Sequence, residues 1–133
     1  MKADFAANLA DLETTPDHAA RDQLALRLAD AHVPGTPDVL LRLIGREDLA
    51  NHRGTLVHSL GHFECSGYVP VLTHLVATGN FEVAHEAFKI VDNIEHAAGP
   101  AIRSAYAEVN SALAVVGEDW RRKLLQDLLN LFE

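Results

Sequence analysis

The sequence has little cysteine, few aromatic residues and few basic residues, and each shortage narrows the possible functions. Cys65 is the single cysteine, so no disulfide can form within the chain, and we expect a cytoplasmic location. Aromatic residues make up only 6%, so the core must consist mainly of Leu, Val, Ile and Ala, as in packed helices. Eleven basic against nineteen acidic residues give a formal charge of −8. This charge argues against nucleic acid or an anionic membrane as the ligand and favours a basic partner protein.

The sequence also lacks long apolar runs and known catalytic motifs. No apolar run approaches the roughly 20 residues that a membrane span needs. Asp4, Asp11 and Glu13 interrupt the N-terminal segment, which therefore does not resemble a signal peptide. The serines lie in no nucleophile motif, and no His-Glu-x-x-His zinc motif occurs. We therefore expect a single domain over residues 1–133, with no catalytic residue, no metal and no cofactor.

The chain nearly repeats itself at an interval of about 32 residues, seen when residues 38–63 are aligned with residues 70–94. Each copy contains a short apolar helix, a polar turn opened by Asp48 or Asn80, and a longer helix. A period of this size is typical of helical solenoids. Such units bury their apolar faces by stacking, which leaves an extended surface suited to a partner protein.

Helix start and stop signals run along the whole chain and predict an all-α fold. Apolar residues recur at helical spacing between breaks such as Pro34-Gly35, Gly79-Asn80 and Gly99-Pro100. We expect about eight helices in antiparallel pairs, forming an α-solenoid without strands. The second helix of the first copy is expected over about 49–62. That of the second copy is expected over about 81–96, with Phe81 facing the core.

Eight histidines make a metal site worth testing against the sequence. On a helix over 49–62, the residues Asn51, Thr55, His58 and His62 would form one stripe, and His58 and His62 would lie one turn apart. With Glu82 or Glu86 from the next long helix they would make a two-histidine, two-carboxylate site. The alternative is an ordinary polar helix surface. Because no further ligand stands at a recognised spacing, we favour that alternative.

Acidic residues concentrate on the long helices of the two copies and their adjoining turns. Few lysines or arginines are interleaved with them, whereas a solvated helix face more often mixes both signs. The expected acidic strip consists of Glu47, Asp48, Glu64, Glu82, Glu86, Asp92 and Glu95. The residues predicted to bind a partner are Glu47, Asp48, Asn51, His58, His62, Glu64, Glu82, Glu86 and Asp92.

Two segments resemble a known family. Arg-Gly-Thr-Leu-Val-His-Ser-Leu (53–60) and Gly-Asn-Phe-Glu-Val-Ala-His-Glu-Ala (79–87) look like HEAT-type repeats. They resemble those of small HEAT-like proteins encoded beside polymorphic toxins, among them immunity proteins of contact-dependent inhibition systems. The resemblance covers about residues 37–95. It implies an all-α, HEAT-like α-solenoid in the bacterial cytoplasm, and a non-enzymatic protein that neutralises a cognate toxin, such as a basic nuclease.

Two other functions remain open at this point. His85-Glu86 resembles the His-Glu dyads of the HEAT-repeat di-iron deoxyhypusine hydroxylases, which would imply a metal-dependent enzyme. That family uses several dyads, whereas this sequence has one, and Arg53-Gly54 stands at the matching position of the other copy. The third possibility is a general scaffold or adaptor.

Overall fold

The computed structural model describes the backbone from Lys2 to Glu133 and the side chains from Ala7 onward. Within these residues the chain forms eight α-helices and two short 3₁₀ helices (Glu47–Leu49 and Ser66–Tyr68), and it has no strand. The prediction of an all-α fold with about eight helices is confirmed. The α-helices are α1 (Lys2–Thr14), α2 (His18–Asp30), α3 (Thr36–Ile44), α4 (Gly54–Leu60), α5 (Val69–Thr78), α6 (Phe81–Asp92), α7 (Gly99–Val115) and α8 (Asp119–Phe132).

The helices divide into two compact units, Met1–Phe63 and Glu64–Glu133. Each unit contains four α-helices. The prediction of one domain over the whole chain stays a prediction. No helix in the described part of the chain combines the length and the hydropathy needed to cross a bilayer.

In the first unit, α1 packs on α2 and α3, and α4 packs on α2 and α3. The buried face of these helices is almost entirely aliphatic, as the composition predicts; it includes Leu12, Leu28, Leu40, Leu43, Leu56 and Leu60. Helix α3 begins after Gly35, which has a left-handed backbone (φ 89°) that glycine adopts without strain. The next residue, Thr36, is fully buried, and its hydroxyl donates a hydrogen bond to the Val33 carbonyl at 2.7 Å.

In the second unit, α5 packs on α6, α7 and α8, and α8 also packs on α6 and α7. The core again consists of small and aliphatic side chains, among them Leu72, Leu75, Val76, Val83, Ala84, Ala87, Val109, Leu125 and Leu128. Asn80 caps α6 as predicted, because its side-chain oxygen accepts a hydrogen bond from the Val83 amide at 2.9 Å.

The second helix of the first copy differs from the prediction. A 3₁₀ helix (Glu47–Leu49) and a turn occupy the first five positions, and α4 covers only Gly54–Leu60. Leu49 is buried, and the Arg53 guanidinium donates to the carbonyls of Ala50 (3.1 Å) and Ile44 (3.2 Å). These contacts hold the segment in a turn and stop helical hydrogen bonding from Leu49 onward. Helix α6 likewise ends at Asp92, four residues before the predicted end.

The two copies of the repeat therefore align at two different sequence intervals, one for their first helices and one for their second helices. The first helices match at the predicted interval of 32 residues, and the matched residues are buried in both copies: Leu40, Leu43 and Ile44 against Leu72, Leu75 and Val76. The second helices match at 27 residues, again with both sides buried: Leu56, Val57 and Leu60 against Val83, Ala84 and Ala87. The difference of five residues is the longer turn that precedes α4.

Candidate functional site

The residues predicted to bind a partner are divided between the two units and lie at their surfaces. The first unit contains Glu47, Asp48, Asn51, His58 and His62, and the second contains Glu64, Glu82, Glu86 and Asp92. All are exposed except Glu86, which is partly buried. Whether the acids of both units form one strip stays a prediction.

The predicted stripe of Asn51, Thr55, His58 and His62 is wrong as a helical feature. Asn51 lies in the turn before α4, and His62 follows the end of that helix at Leu60. His58 and His62 are still neighbours, with ring centroids 5.6 Å apart in an edge-to-face arrangement.

The two histidines line a shallow, open depression together with Leu26, Arg27 and Asp30 from the C-terminal half of α2. No set of three or more His, Cys, Asp or Glu residues in the described part of the chain is arranged to hold a metal ion. What this depression offers is a mixed surface with two imidazoles, one carboxylate and one guanidinium.

In the first unit, arginines neutralise more of the acidic side chains than the sequence indicates. Arg46 pairs with Asp48 through two hydrogen bonds of 2.7 and 3.0 Å, which lower the pKa of the Asp48 carboxyl. Arg42 pairs with Glu13 in the same way, at 2.7 and 3.0 Å, and the pKa of Glu13 is lowered. Within this unit, Glu47 has no such partner among the described residues.

A second polar cluster lies beside these ion pairs. Arg21 is 2% exposed, and it bonds His18 Nδ1 at 2.7 Å and the Thr15 carbonyl at 2.6 Å. Because a guanidinium only donates, the bonded Nδ1 of His18 is the acceptor nitrogen of a neutral ring. His18 stacks on His52, with centroids 3.6 Å apart and ring planes 7° apart. These contacts hold the turn before α4 against α2. They give His18 and His52 a structural role.

In the second unit, the candidate acids differ in how strongly they are paired. Glu86 contacts the Lys89 ammonium at 3.1 Å. Glu64 accepts the Ser66 amide at 2.6 Å, and this local bonding lowers the pKa of its carboxyl. Glu82 and Asp92, in contrast, have no ion-pair or hydrogen-bond partner among the described residues. Their charge is therefore available to an external cation.

Asp92 also borders a cavity of about 120 Å³ in this unit. Most of its lining residues are apolar by type, with Val69, Val91 and Ile94 among them, but polar atoms make up more of the lining surface than apolar atoms do, and Glu95 is the second carboxylate at the cavity. A cavity with apolar residues in its wall and two carboxylates at its surface suits a long cationic side chain, whose stem is apolar and whose tip is charged.

The matched second helices each carry a histidine at the same position. At the interval of 27 residues His58 aligns with His85, Thr55 with Glu82, and Ser59 with Glu86. The sequence interpretation treated His85 as half of a His-Glu dyad and missed its match with His58. Alignment of residues 53–60 with residues 80–87 was the signal that could have revealed it.

Sequence reasoning also missed an aromatic cluster, which we define as Phe81, His85 and Trp120. Phe81 is 58% exposed, so the prediction that it faces the core is wrong. It is the first residue of α6, and the buried stripe of that helix begins two residues later at Val83. Its ring lies 4.0 Å from that of His85 and 5.1 Å from that of Trp120, between centroids.

Cys65 is buried, and burial raises the pKa of its thiol to about 11, with a smaller contribution from the Glu64 charge. The thiol is therefore protonated at neutral pH, which is unfavourable for a nucleophile. Its surroundings agree with the expectation of a structural cysteine.

The chain was also compared with known proteins. No protein-family model, no curated protein and no solved structure matches it. The resemblance to HEAT-like immunity proteins therefore stays a prediction.

Proposed function

We propose that this protein is an immunity protein of the bacterial cytoplasm, which binds a cognate toxin domain and blocks its active site or substrate groove. The observation that carries the proposal is the pair of exposed carboxylates on α6, Glu82 and Asp92, which lack cationic partners within the described chain. They belong to a protein of charge −8. A toxin that acts on nucleic acid needs a basic groove, and such a groove is complementary to this helix.

The helix contacts support a repeat architecture of the kind used for protein binding. In the first unit, α1 pairs with α2 and α3 pairs with α4. Between these two pairs, α1 contacts α3 and α2 contacts α4. The second unit has the same pattern with α5 to α8. We propose that each unit consists of two antiparallel HEAT-like helix pairs, with the second helices offering the binding surface.

The proposed mechanism is occlusion. Carboxylates of the immunity protein occupy positions where the toxin would otherwise bind phosphates, so substrate and inhibitor compete for one basic surface. Complementary charge chiefly accelerates association, while aromatic and aliphatic contacts at the centre of the interface set the residence time.

The proposal is tested first by the neighbouring gene and then by kinetics. We expect a secreted protein with a toxic C-terminal domain to be encoded next to this chain, and the purified chain to inhibit that domain. Glu82→Lys should slow association at low salt and weaken its salt dependence, because it replaces attraction by repulsion at the interface.

Glu108→Lys is the matched control. It changes the net charge equally, but Glu108 lies on α7 and contacts His74 of α5 at 2.6 Å. Its effect on association should be clearly smaller than that of Glu82→Lys, with unchanged melting temperatures for both variants. Equal effects would show that only the net charge matters. A toxin domain that the wild-type chain neither binds nor inhibits would refute the proposed function, and one that is bound but stays active would favour an adaptor.

A further inference from the structure

The geometry of the aromatic cluster is that of a preorganised binding surface rather than that of a hydrophobic core. It contains the only tryptophan of the chain and the most exposed phenylalanine described. The three rings lie within 5.6 Å of one another, between centroids. Phe81 is exposed, and His85 and Trp120 are partly buried. Aromatic side chains supply much of the binding energy at protein interfaces.

A hydrogen bond fixes the orientation of one ring of the cluster, and a cation–π contact covers another. His85 Nδ1 lies 2.7 Å from the Phe81 carbonyl oxygen, which can only accept, so Nδ1 carries the proton. In the neutral ring, Nε2 is then an acceptor. On the other side, the Arg121 guanidinium carbon lies 4.5 Å from the centroid of Trp120, and Arg121 is itself held at 2.8 Å by the Val76 carbonyl.

The acidic residues next to the cluster favour a cationic ligand. Glu82 follows Phe81 and has no ion-pair partner in the described chain, while Glu118 and Asp119 precede Trp120. The two arginines that follow Trp120 already pair with Glu118 and Asp119 at 2.9 Å each. A second copy of this chain would bring the same acidic residues together, and an apolar side chain would leave the Glu82 charge without a partner.

We propose that the aromatic cluster is the docking point for an arginine side chain of the partner protein. The guanidinium stacks on the exposed face of Phe81, donates a hydrogen bond to His85 Nε2 and is neutralised by Glu82. Arginine suits the site better than lysine because its planar cation stacks and donates in fixed directions. This inference rests on the proposed function and names the chemical group that the binding surface recognises.

Peptides test the chemistry of the cluster without the toxin. The probe is a short peptide of alternating glycine and arginine, and its control carries the neutral isostere citrulline in place of arginine. Because Trp120 is the only tryptophan, its fluorescence reports binding at the cluster. We expect a saturable change with the arginine peptide and none with the citrulline peptide.

Phe81→Leu separates stacking from general attraction, because it keeps the charge and the apolar bulk but removes the ring. It should weaken binding roughly two- to thirtyfold, the range expected for a cation–π contact. Phe81→Trp should retain binding. Val115→Ala, at another exposed apolar residue, should change nothing, and circular dichroism verifies that each variant is folded.

Three results would overturn the inference: equal binding by Phe81→Leu and wild type, equal binding of the citrulline peptide, or self-association that Phe81→Leu abolishes. The same variant in the toxin assay separates this inference from the proposed function. If the toxin leaves wild type and Phe81→Leu at the same rate, the inference fails while the function stands. If wild type binds no toxin, the function fails, and the peptide titrations alone decide the inference.

Discussion

Arg121 should contribute more to stability than any other arginine on α8, although it is a charged side chain in an apolar unit. It is 9% exposed and donates to the carbonyl of Val76 at 2.8 Å. Val76 lies in the last turn of α5, where carbonyls have no partner within the helix. The guanidinium therefore caps α5 and connects it to α8.

The expected cost of Arg121→Met follows from these contacts. A hydrogen bond to a charged group contributes about 1.5–3 kcal/mol, and a buried carbonyl left without a partner costs about 1–3 kcal/mol. Methionine recovers part of this by packing its apolar chain in the same space. The pair with Glu118 adds little, since that carboxylate is exposed to water. We expect the free energy of unfolding to fall by about 2–4 kcal/mol.

The assay is urea unfolding followed by the fluorescence of Trp120, which lies in the same unit. Arg122→Met is the comparison, because Arg122 is the next residue of α8 but is more exposed: it pairs with an Asp119 side chain that is 99% exposed and donates a longer, partly buried hydrogen bond of 3.1 Å to the Val116 carbonyl. This variant should lower stability by about 1 kcal/mol or less, because it loses one partly buried hydrogen bond. If Arg121→Met lowers stability no more than Arg122→Met does, the capping argument is wrong.

Three further predictions concern other parts of the second unit. Gly79→Ala should destabilise by about 1–3 kcal/mol, because a Cβ there would lie 2.6 Å from Val83 Cγ1, whereas Gly117→Ala, with nothing within 4 Å, should be neutral in the same urea assay. The pKa of Glu118 is lowered from 4.5 by its pairing with Arg121. Its contribution to the free energy of unfolding is therefore complete above pH 4.5 and is lost as the pH falls through the lowered value. In Glu118→Gln, the free energy of unfolding measured in the same assay should depend less on pH in that range. Cys65, with its pKa raised to about 11, should react with a thiol reagent at pH 8 only after denaturant is added, and rapid labelling of the native protein would contradict its burial.

The sequence predicted the parts of the fold that follow from local rules. Gly79 and Asn80 mark a helix end and a helix start through backbone and capping chemistry that involves only neighbouring residues. The turn before α4 could not be predicted in this way, since it depends on Leu49 reaching the core and on Arg53 bonding to α3. The exposure of Phe81 was missed for a related reason, because periodicity alone does not show where a buried stripe begins.

The candidate site was predictable in residue type but not in electrostatics. The sequence identified acidic, exposed positions, and the structure places them at the surface. It could not show that Asp48 is neutralised by Arg46, because i,i+2 residues do not face one another on the helix that the sequence predicted nearby, and the turn brings them together. It also could not show that Phe81 and His85 of α6 lie against Trp120 of α8, which tertiary packing alone decides.

The longer turn before α4 has a consequence for how such a chain can diverge. The connection between α3 and α4 covers residues 45–53, whereas α5 and α6 are joined by residues 79–80. Polymer theory assigns the longer connection an entropic cost on the order of 1 kcal/mol, since closure entropy grows only with the logarithm of length. Burying Leu49 recovers about 1.5–3 kcal/mol, which is more than that cost. Insertions at this connection are therefore tolerated by folding, so copies of a repeat can drift in length there while the leucines between their helices stay unchanged.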